Sequence, residues 1–158
     1  MNIHDFIKTH NLSSDSIFID VGANIGQELD LLLPLGVEVH SFEPHPVIFQ
    51  QLYDNFNSYP NAILLEKAAW IETGTMQLNY KNNCTELNGG ASLFKSKDNV
   101  GHVGSVEVKC VDLAEYINNL GVFVDVLKID AEGAEYKLIE KLIDTKAYKT
   151  IGQIYYED

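Results

Sequence analysis

Short apolar runs alternate with helical repeats of apolar residues along most of the chain. The segment SIFIDVG (16–22) is a short apolar run rich in β-branched residues and predicts a buried strand. The segments VEVHSFE (37–43) and VFVDVLKID (122–130) predict two further strands. In PVIFQQLYDNF (46–56) the apolar residues recur at helical spacing and Pro46 suits the first turn, so this segment predicts the clearest helix.

Two further helices are predicted from apolar spacing combined with end signals. QELDLLLPL should be helical as far as about Leu33, because the residue before Pro34 avoids the helical region. In DLAEYINNLG, Asp112 followed by Glu115 resembles a capping box, and Gly121 supplies a stop signal.

The middle of the chain is less regular. AILLEKAAW (62–70) predicts a third strand, and TMQLNY (75–80) and SVEVKCV (105–111) predict strands of an antiparallel excursion. Between them, residues 81–104 have the composition of a long loop, which in a small domain is often functional. The remaining elements are a helix over GAEYKLIEKLIDT (133–145) and a last strand over IGQIYYE (151–157).

The alternation of strand and helix predicts a doubly wound, mainly parallel sheet with helices on both faces. All of it fits one domain over residues 1–158, with an N-terminal extension (1–15) and an irregular strand and loop insertion (71–111).

Acidic residues end four of the predicted strands. They are Asp20, Glu43, Asp130 and Glu157. Parallel sheets bind ligands at the carboxyl ends of their strands, so these acids are expected at a binding edge. Each one alone would also fit a solvated strand end.

Charge and composition narrow the class of ligand. The net charge is −12 and the chain contains no arginine, which argues against a nucleic-acid partner and favours a small molecule. No apolar run is long enough for a membrane span, and the N-terminus lacks a signal-peptide pattern. Cys84 and Cys110 give neither a disulfide framework nor metal-ligand spacing, so a cytoplasmic location is expected.

The turn after the first strand favours one of two cofactors. A nicotinamide dinucleotide site normally has G-x-G-x-x-G, whose middle glycine lets backbone approach a pyrophosphate. Here Asn24 stands at that middle position between Gly22 and Gly26. The spacing from Asp20 to Gly26 instead matches the glycine turn of enzymes that use S-adenosylmethionine (SAM), apart from Asn24. SAM carries a sulfonium and an ammonium, so acids beside the turn suit its charge.

Four motifs together resemble the FkbM family of SAM-dependent methyltransferases. They are FIDVGANIGQ, SFEPHP, GGASL and VLKIDAEGAE, in this order, and the similarity extends over roughly residues 16 to 158. The resemblance implies a Rossmann-like class I fold with strand order 3-2-1-4-5. It also implies methyl transfer from SAM, usually to an oxygen atom, with a small molecule or a glycan as acceptor.

The resemblance also implies the site residues. Those expected to bind SAM are Asp20, Gly22, Ala23, Asn24, Gly26, Glu43, Pro44 and Ala68. The turn would surround the amino-acid end of SAM, Glu43 would accept hydrogen bonds from the ribose hydroxyls, and Ala68 would lie near adenine. Asp130 and Glu132 would lie where the methyl group meets the acceptor.

Several alternatives stay open at this point. Asp130 could take the acceptor's proton directly, or Asp130, Glu132 and Glu157 could hold a divalent cation that acidifies the acceptor. Asp130 and Glu132 would also suit a purely structural place before a helix N-terminus. A SAM-binding domain without turnover and a nicotinamide oxidoreductase are the alternative functions.

Four other residues have competing interpretations. Structural roles are favoured for Glu135 and for Lys128, the latter paired with an acid. His45 suits helix capping as well as cofactor contact, and His102 in the long loop suits solvent more than catalysis.

The end of the chain departs from the family pattern. A class I domain normally continues with a helix and an antiparallel strand pair, which this sequence lacks after IGQIYYED. The last strand would then expose an edge without lysine or proline to protect it. We therefore expect either a longer polypeptide or a homo-oligomer formed through this edge.

Overall fold

Two sheets and five α-helices make up the part of the chain that the structure describes. The structure is a computed structural model and describes residues 2–80, 91–92, 104–131 and 133–156. The helices are α1 (Ile3–Thr9), α2 (Leu29–Leu32), α3 (Pro46–Phe56), α4 (Leu113–Leu120) and α5 (Glu135–Asp144). The strands are β1 (Ile17–Val21), β2 (Glu38–Phe42), β3 (Ala62–Leu65), β4 (Ala68–Trp70), β5 (Gly74–Tyr80), β6 (Ala91–Ser92), β7 (Gly104–Asp112), β8 (Val124–Ile129) and β9 (Ile151–Tyr156).

The larger sheet has five parallel strands in the order β3-β2-β1-β8-β9. Numbered as core strands, this is the predicted order 3-2-1-4-5, and the predicted Rossmann-like α/β class is confirmed. β1 lies at the centre, with Asp20 beside Ser41 of β2 and Lys128 of β8. The order reverses at β1, so the crevice for a ligand opens at the carboxyl ends of β1, β2 and β8.

Apolar side chains cover both faces of this sheet. On one face, Phe18 and Val126 pack with Leu29 of α2, Leu52 of α3 and residues of α1. On the other face, Leu127 packs with α4, α5 and the second sheet. The largest of these side chains are fully buried, as expected for a parallel sheet with helices on both sides.

The second sheet has the order β4-β7-β5-β6. β5 and β7 pair antiparallel over their length, which confirms the predicted antiparallel excursion. The prediction of one strand over AILLEKAAW is wrong, because β3 pairs with β2 while β4 pairs with β7. The chain changes sheets at Glu66 and Lys67. Most of the predicted loop over 81–104 lies outside the described residues.

The helix ends follow the local signals, with one difference. Asp112 caps α4 by accepting the Glu115 N–H at 3.0 Å, and Gly121 closes the helix in the left-handed region. Such a cap contributes about 1 kcal/mol. The α-helical hydrogen bonding of α2 ends at Leu32, and a 3₁₀ turn over Leu33–Leu35 takes in the proline. Pro34 does not interrupt the 3₁₀ turn, because it occupies one of the first positions of that segment.

The strand β9 lies at one end of the larger sheet. It pairs with β8, and no second partner strand lies beside it among the described residues. Helix α1 packs against this strand, and the ring centroids of Phe6 in α1 and Tyr155 in β9 are 5.8 Å apart. The expected open edge is present, and its use in self-association stays a prediction.

Candidate functional site

The glycine turn after β1 is pressed against the end of β8. Gly22 has φ of 81°, and the N–H groups of Gly22 and Ala23 both donate to the Phe42 carbonyl at 3.0 Å. A Cβ on Gly22 would overlap the backbone carbonyl oxygen of Asp130. A glycine is therefore required here both for its conformation and for the close approach of two strand ends.

The second half of the turn is shaped by helix packing. Asn24 has φ of 53°, a conformation that asparagine tolerates better than most residues. Gly26 has φ of 94°, and a Cβ there would overlap Phe56 and crowd Leu52 of α3. The structure thus gives Gly26 a packing role, and its expected contact with a cofactor stays a prediction.

Glu43 connects the end of β2 to this turn. Its Oε2 accepts the Asn24 N–H at 3.1 Å, and its Oε1 accepts the His45 N–H at 2.8 Å. Burial raises the pKa of this carboxyl to about 7, although the two backbone hydrogen bonds oppose the rise. A carboxylate has about four lone-pair sites, so Glu43 retains acceptor capacity for a ligand.

A buried lysine lies at the centre of the site. Lys128 Nζ is 3.1 Å from Asp20 Oδ1, 3.5 Å from Glu28 Oε1 and 3.8 Å from Asp130 Oδ2. Burial alone would lower the pKa of this ammonium, but the three carboxylates outweigh burial and hold the pKa above its ordinary value. The predicted pairing of Lys128 with an acid is confirmed. Asp20, Glu28, Lys128 and Asp130 are called the floor cluster below.

Glu28 is a buried acid of the site that was not among the residues predicted from the sequence. This residue is 5% exposed, although it is an acid directly before a short helix, where solvent exposure is the ordinary expectation. Burial, and then repulsion from Asp20, raises the pKa of the Glu28 carboxyl, while Lys128 opposes this rise. The sequence signal for a role in the site was the position of Glu28, which follows Gly26 of the glycine turn by two residues.

Several buried polar atoms lack a hydrogen-bond partner among the described residues. They are Asp20 Oδ2, Glu28 Oε2, Ser41 Oγ and His45 Nδ1. Buried polar atoms are normally satisfied, so this group marks a place where a ligand or water completes the bonding. His45 begins α3 without capping it through its side chain, and the ring lies edge-on to Tyr80 at 5.0 Å.

The loop after β8 is held by Glu135. Its carboxylate accepts the Ala131 N–H at 2.8 Å and the Gly133 N–H at 2.9 and 3.1 Å. The structural role predicted for Glu135 is therefore confirmed. Asp130 stands at the start of this loop with a side chain that is 36% exposed. Glu132 lies outside the described residues, and so do His102 and Glu157.

The remaining predicted residues, Pro44 and Ala68, differ in their surroundings. Pro44 follows Glu43 directly and lines a cleft of about 430 Å³ with Leu64, Lys67 and Val108 among others. Ala68 is buried in β4 beside Cys110 and belongs to the same apolar cluster as Phe42. The structure thus brings Asp20, Gly22, Asn24, Glu43 and Asp130 together, while Ala68 belongs to the packed core.

Within residues 2–80, 91–92, 104–131 and 133–156, no group of three or more histidine, cysteine, aspartate or glutamate side chains has the arrangement of a metal site. None of the described helices is both long and apolar enough to cross a bilayer.

The fold and the site define a class of protein. A parallel sheet with a glycine turn after its central strand, and a buried acid after the next strand, is typical of Rossmann-like domains that bind nucleoside cofactors. The family model of the methyltransferase FkbM domain matches residues 20–157. The chain therefore belongs to the FkbM methyltransferase family. No curated protein and no solved structure gives a significant match.

Proposed function

We propose that this protein is a SAM-dependent methyltransferase that methylates a hydroxyl group of a small molecule or a glycan. The single observation that carries the proposal is the buried Glu43 carboxylate, linked to the glycine turn at the open end of the sheet. Membership of the FkbM methyltransferase family supports it. A cytoplasmic location belongs to the same proposal and is supported by the free thiol of Cys110.

The carboxylate oxygens at this site fit the charges and hydroxyl groups of SAM. Two carboxylates, Asp20 and Glu28, each keep one buried oxygen without a partner among the described residues. Such oxygens suit an ammonium or a sulfonium, and the remaining acceptor sites of Glu43 suit a pair of ribose hydroxyls. Bound SAM would supply a methyl group that is electrophilic because it is attached to a sulfonium.

Asp130 is our candidate for the proton acceptor. Its side chain is partly exposed at the carboxyl end of β8, whereas the other two carboxylates of the floor cluster are buried. A carboxylate in this place can receive the proton of an acceptor hydroxyl as the new bond to oxygen forms. The backbone N–H of Asp130 donates to Val21 at 3.0 Å, which anchors this residue to the end of β1.

Glu132 and a divalent cation remain parts of the proposal. Glu132 would complete the catalytic pair with Asp130. In the alternative route, Asp130, Glu132 and Glu157 would hold a cation such as magnesium, which prefers oxygen ligands. Methyl transfer measured with and without a chelator separates the two routes.

Calorimetric titration with SAM and NAD side by side tests the cofactor. We expect SAM to bind with micromolar-range affinity, roughly −8 kcal/mol, and NAD to bind much more weakly. Glu43→Ala should weaken SAM binding by about 1.5–3 kcal/mol, the range for hydrogen bonds to a charged group. Glu140→Ala is the matched control, because it removes an exposed carboxylate from α5.

Three outcomes of this titration are informative. A folded protein that binds NAD and not SAM would replace the proposal with a nicotinamide oxidoreductase. A protein that binds neither cofactor would refute the proposed function. SAM binding without methyl transfer to any of a broad set of hydroxyl acceptors would indicate a binding domain.

A further inference from the structure

The floor cluster contains more negative than positive charge. One ammonium, Lys128, faces three carboxylates, Asp20, Glu28 and Asp130. Asp20 and Lys128 are buried side chains of adjacent central strands, so water cannot readily screen them. Burying a charge without a full set of partners costs free energy. A site with excess buried negative charge therefore favours the binding of a cation.

Glu28 differs from the other buried glutamates near the site. Each oxygen of Glu43 and of Glu135 accepts a backbone N–H from a neighbouring loop, so both side chains have evident structural tasks. Glu28 Oε1 faces Lys128 at 3.5 Å, and Glu28 Oε2 is buried without a partner among the described residues. A stabilising pair with Lys128 would not require this second buried oxygen to stay unsatisfied.

We propose that Glu28 is a charge-selecting residue of the cofactor pocket, which together with Asp20 makes the site prefer ligands with a positive charge at the sulfur position. This inference rests on the proposed function. SAM has a sulfonium at that position, whereas its demethylated product, S-adenosylhomocysteine (SAH), has a neutral thioether. Glu28 would thus favour binding of the methyl donor and release of the product after transfer.

The expected effect of the Glu28 charge on ligand affinity follows from Coulomb's law. Through a medium with an effective dielectric constant of about 20, one unit charge at a separation of about 12 Å changes binding by roughly tenfold. Glu28 and Lys128 partly cancel each other, so we expect removal of the Glu28 charge to reduce the preference for SAM over SAH by about three- to tenfold.

The test measures three dissociation constants by calorimetry for the wild-type protein and for Glu28→Gln. The ligands are SAM, SAH and sinefungin, an analogue that has a protonated amine in place of the methylsulfonium. We expect Glu28→Gln to weaken SAM and sinefungin by a similar factor and to change SAH little. A structural role of Glu28, or a contact with the amino-acid ammonium that all three ligands share, would weaken all three equally, and that result would overturn the proposal.

Two further variants serve as controls. Asp30→Asn removes an exposed charge from α2 and should change none of the three constants. Glu28→Asp keeps the charge and should retain the preference for the two cations. If no ligand binds to any folded variant or to the wild-type protein, the proposed function fails. If all three bind and the preference is unchanged in Glu28→Gln, this inference alone fails.

A second measurement needs no variant and remains available if Glu28→Gln does not fold. The raised pKa of Glu28 means that a ligand cation should displace part of a proton from the site. The other titratable or charged groups around it are Asp20, Lys128, Asp130, Glu43 and Tyr155, the last beside Lys128 in β9.

Titrations in two buffers with different ionisation enthalpies report this proton release. We expect the wild-type protein to release more protons on binding SAM than on binding SAH at a pH where the Glu28 carboxyl is partly protonated. Equal release for the two ligands would contradict a floor cluster that responds to the sulfonium charge.

Discussion

Glu43→Gln should remove a large part of the pH dependence of stability between about pH 5.5 and pH 8.5. Burial raises the pKa of Glu43 from 4.5 to about 7 in the folded protein. A carboxyl with a raised pKa favours the folded state while it is protonated, and its contribution is lost as the pH rises from the unfolded value through the folded one. Glutamine cannot ionise, so the variant lacks this loss.

The magnitude follows from the two pKa values. With 1.36 kcal/mol for each unit of pKa difference, the rise from 4.5 to about 7 corresponds to a total loss of about 3.4 kcal/mol of unfolding free energy. Because part of this loss is complete below pH 5.5, the wild-type protein should lose about 2 kcal/mol between pH 5.5 and pH 8.5. Glutamine also loses one of the two acceptor oxygens that face Asn24 and His45. That loss costs about 1–3 kcal/mol at every pH and therefore does not affect the slope.

Urea unfolding of the ligand-free protein at several pH values measures the effect. The difference in unfolding free energy between wild type and Glu43→Gln should shift by about 2 kcal/mol toward the variant as the pH rises. Glu140→Gln, on the exposed face of α5, should follow the wild-type curve. Parallel curves for Glu43→Gln and wild type would show that Glu43 stays ionised throughout, and the reasoning from burial would be wrong.

Three further predictions concern the reaction, the turn and the sheet edge. Asp130→Asn should reduce methyl transfer by at least about 100-fold, and turnover at the wild-type rate would assign Asp130 a structural role. SAM affinity should change less in this variant than in Glu28→Gln, because the Asp130 side chain is partly exposed and water screens its charge. Gly22→Ala should destabilise the protein by about 2–4 kcal/mol in urea unfolding, because its Cβ would overlap Asp130. Gly74→Ala has open space around its Cβ and should cost less than about 1 kcal/mol. Sedimentation of the chain at high micromolar concentration should detect dimers or larger species formed through β9, and a stable monomer would contradict this.

The parallel core was predictable because its signals are local. β1 is a short, mostly apolar run, and α3 has a proline at its start and regular apolar spacing, so neither assignment needs distant contacts. The strand order came from the family resemblance, since local patterns do not specify which strands become neighbours.

The failures arise where a distant partner decides the structure. The apolar letters of AILLEKAAW do not reveal that the chain leaves one sheet at Glu66 and enters another, where β4 pairs with β7. The floor cluster is similar, because Asp20 and Lys128 are 108 residues apart in the sequence. The burial of Glu28 likewise depends on a distant partner, because its carboxylate faces Lys128 of β8.

The buried carboxylates of this site work against the stability of the ligand-free protein. Burial raises the pKa of both Glu28 and Glu43, so each one loses stabilising influence as it ionises with rising pH. Buried ion pairs are weak stabilisers even when balanced, and the floor cluster has excess negative charge.

Binding of a cationic ligand would offset the loss of stability that these buried carboxylates cause. At a concentration of about 100 times its dissociation constant, a ligand stabilises the folded state by about 2.7 kcal/mol, which is comparable to the loss of about 2 kcal/mol expected from Glu43. The same ionisation that weakens the ligand-free fold would strengthen attraction to a sulfonium or an ammonium. A site arranged for packing alone would instead have apolar side chains in place of Asp20, Glu28 and Lys128, so the excess charge is better explained by binding than by stability.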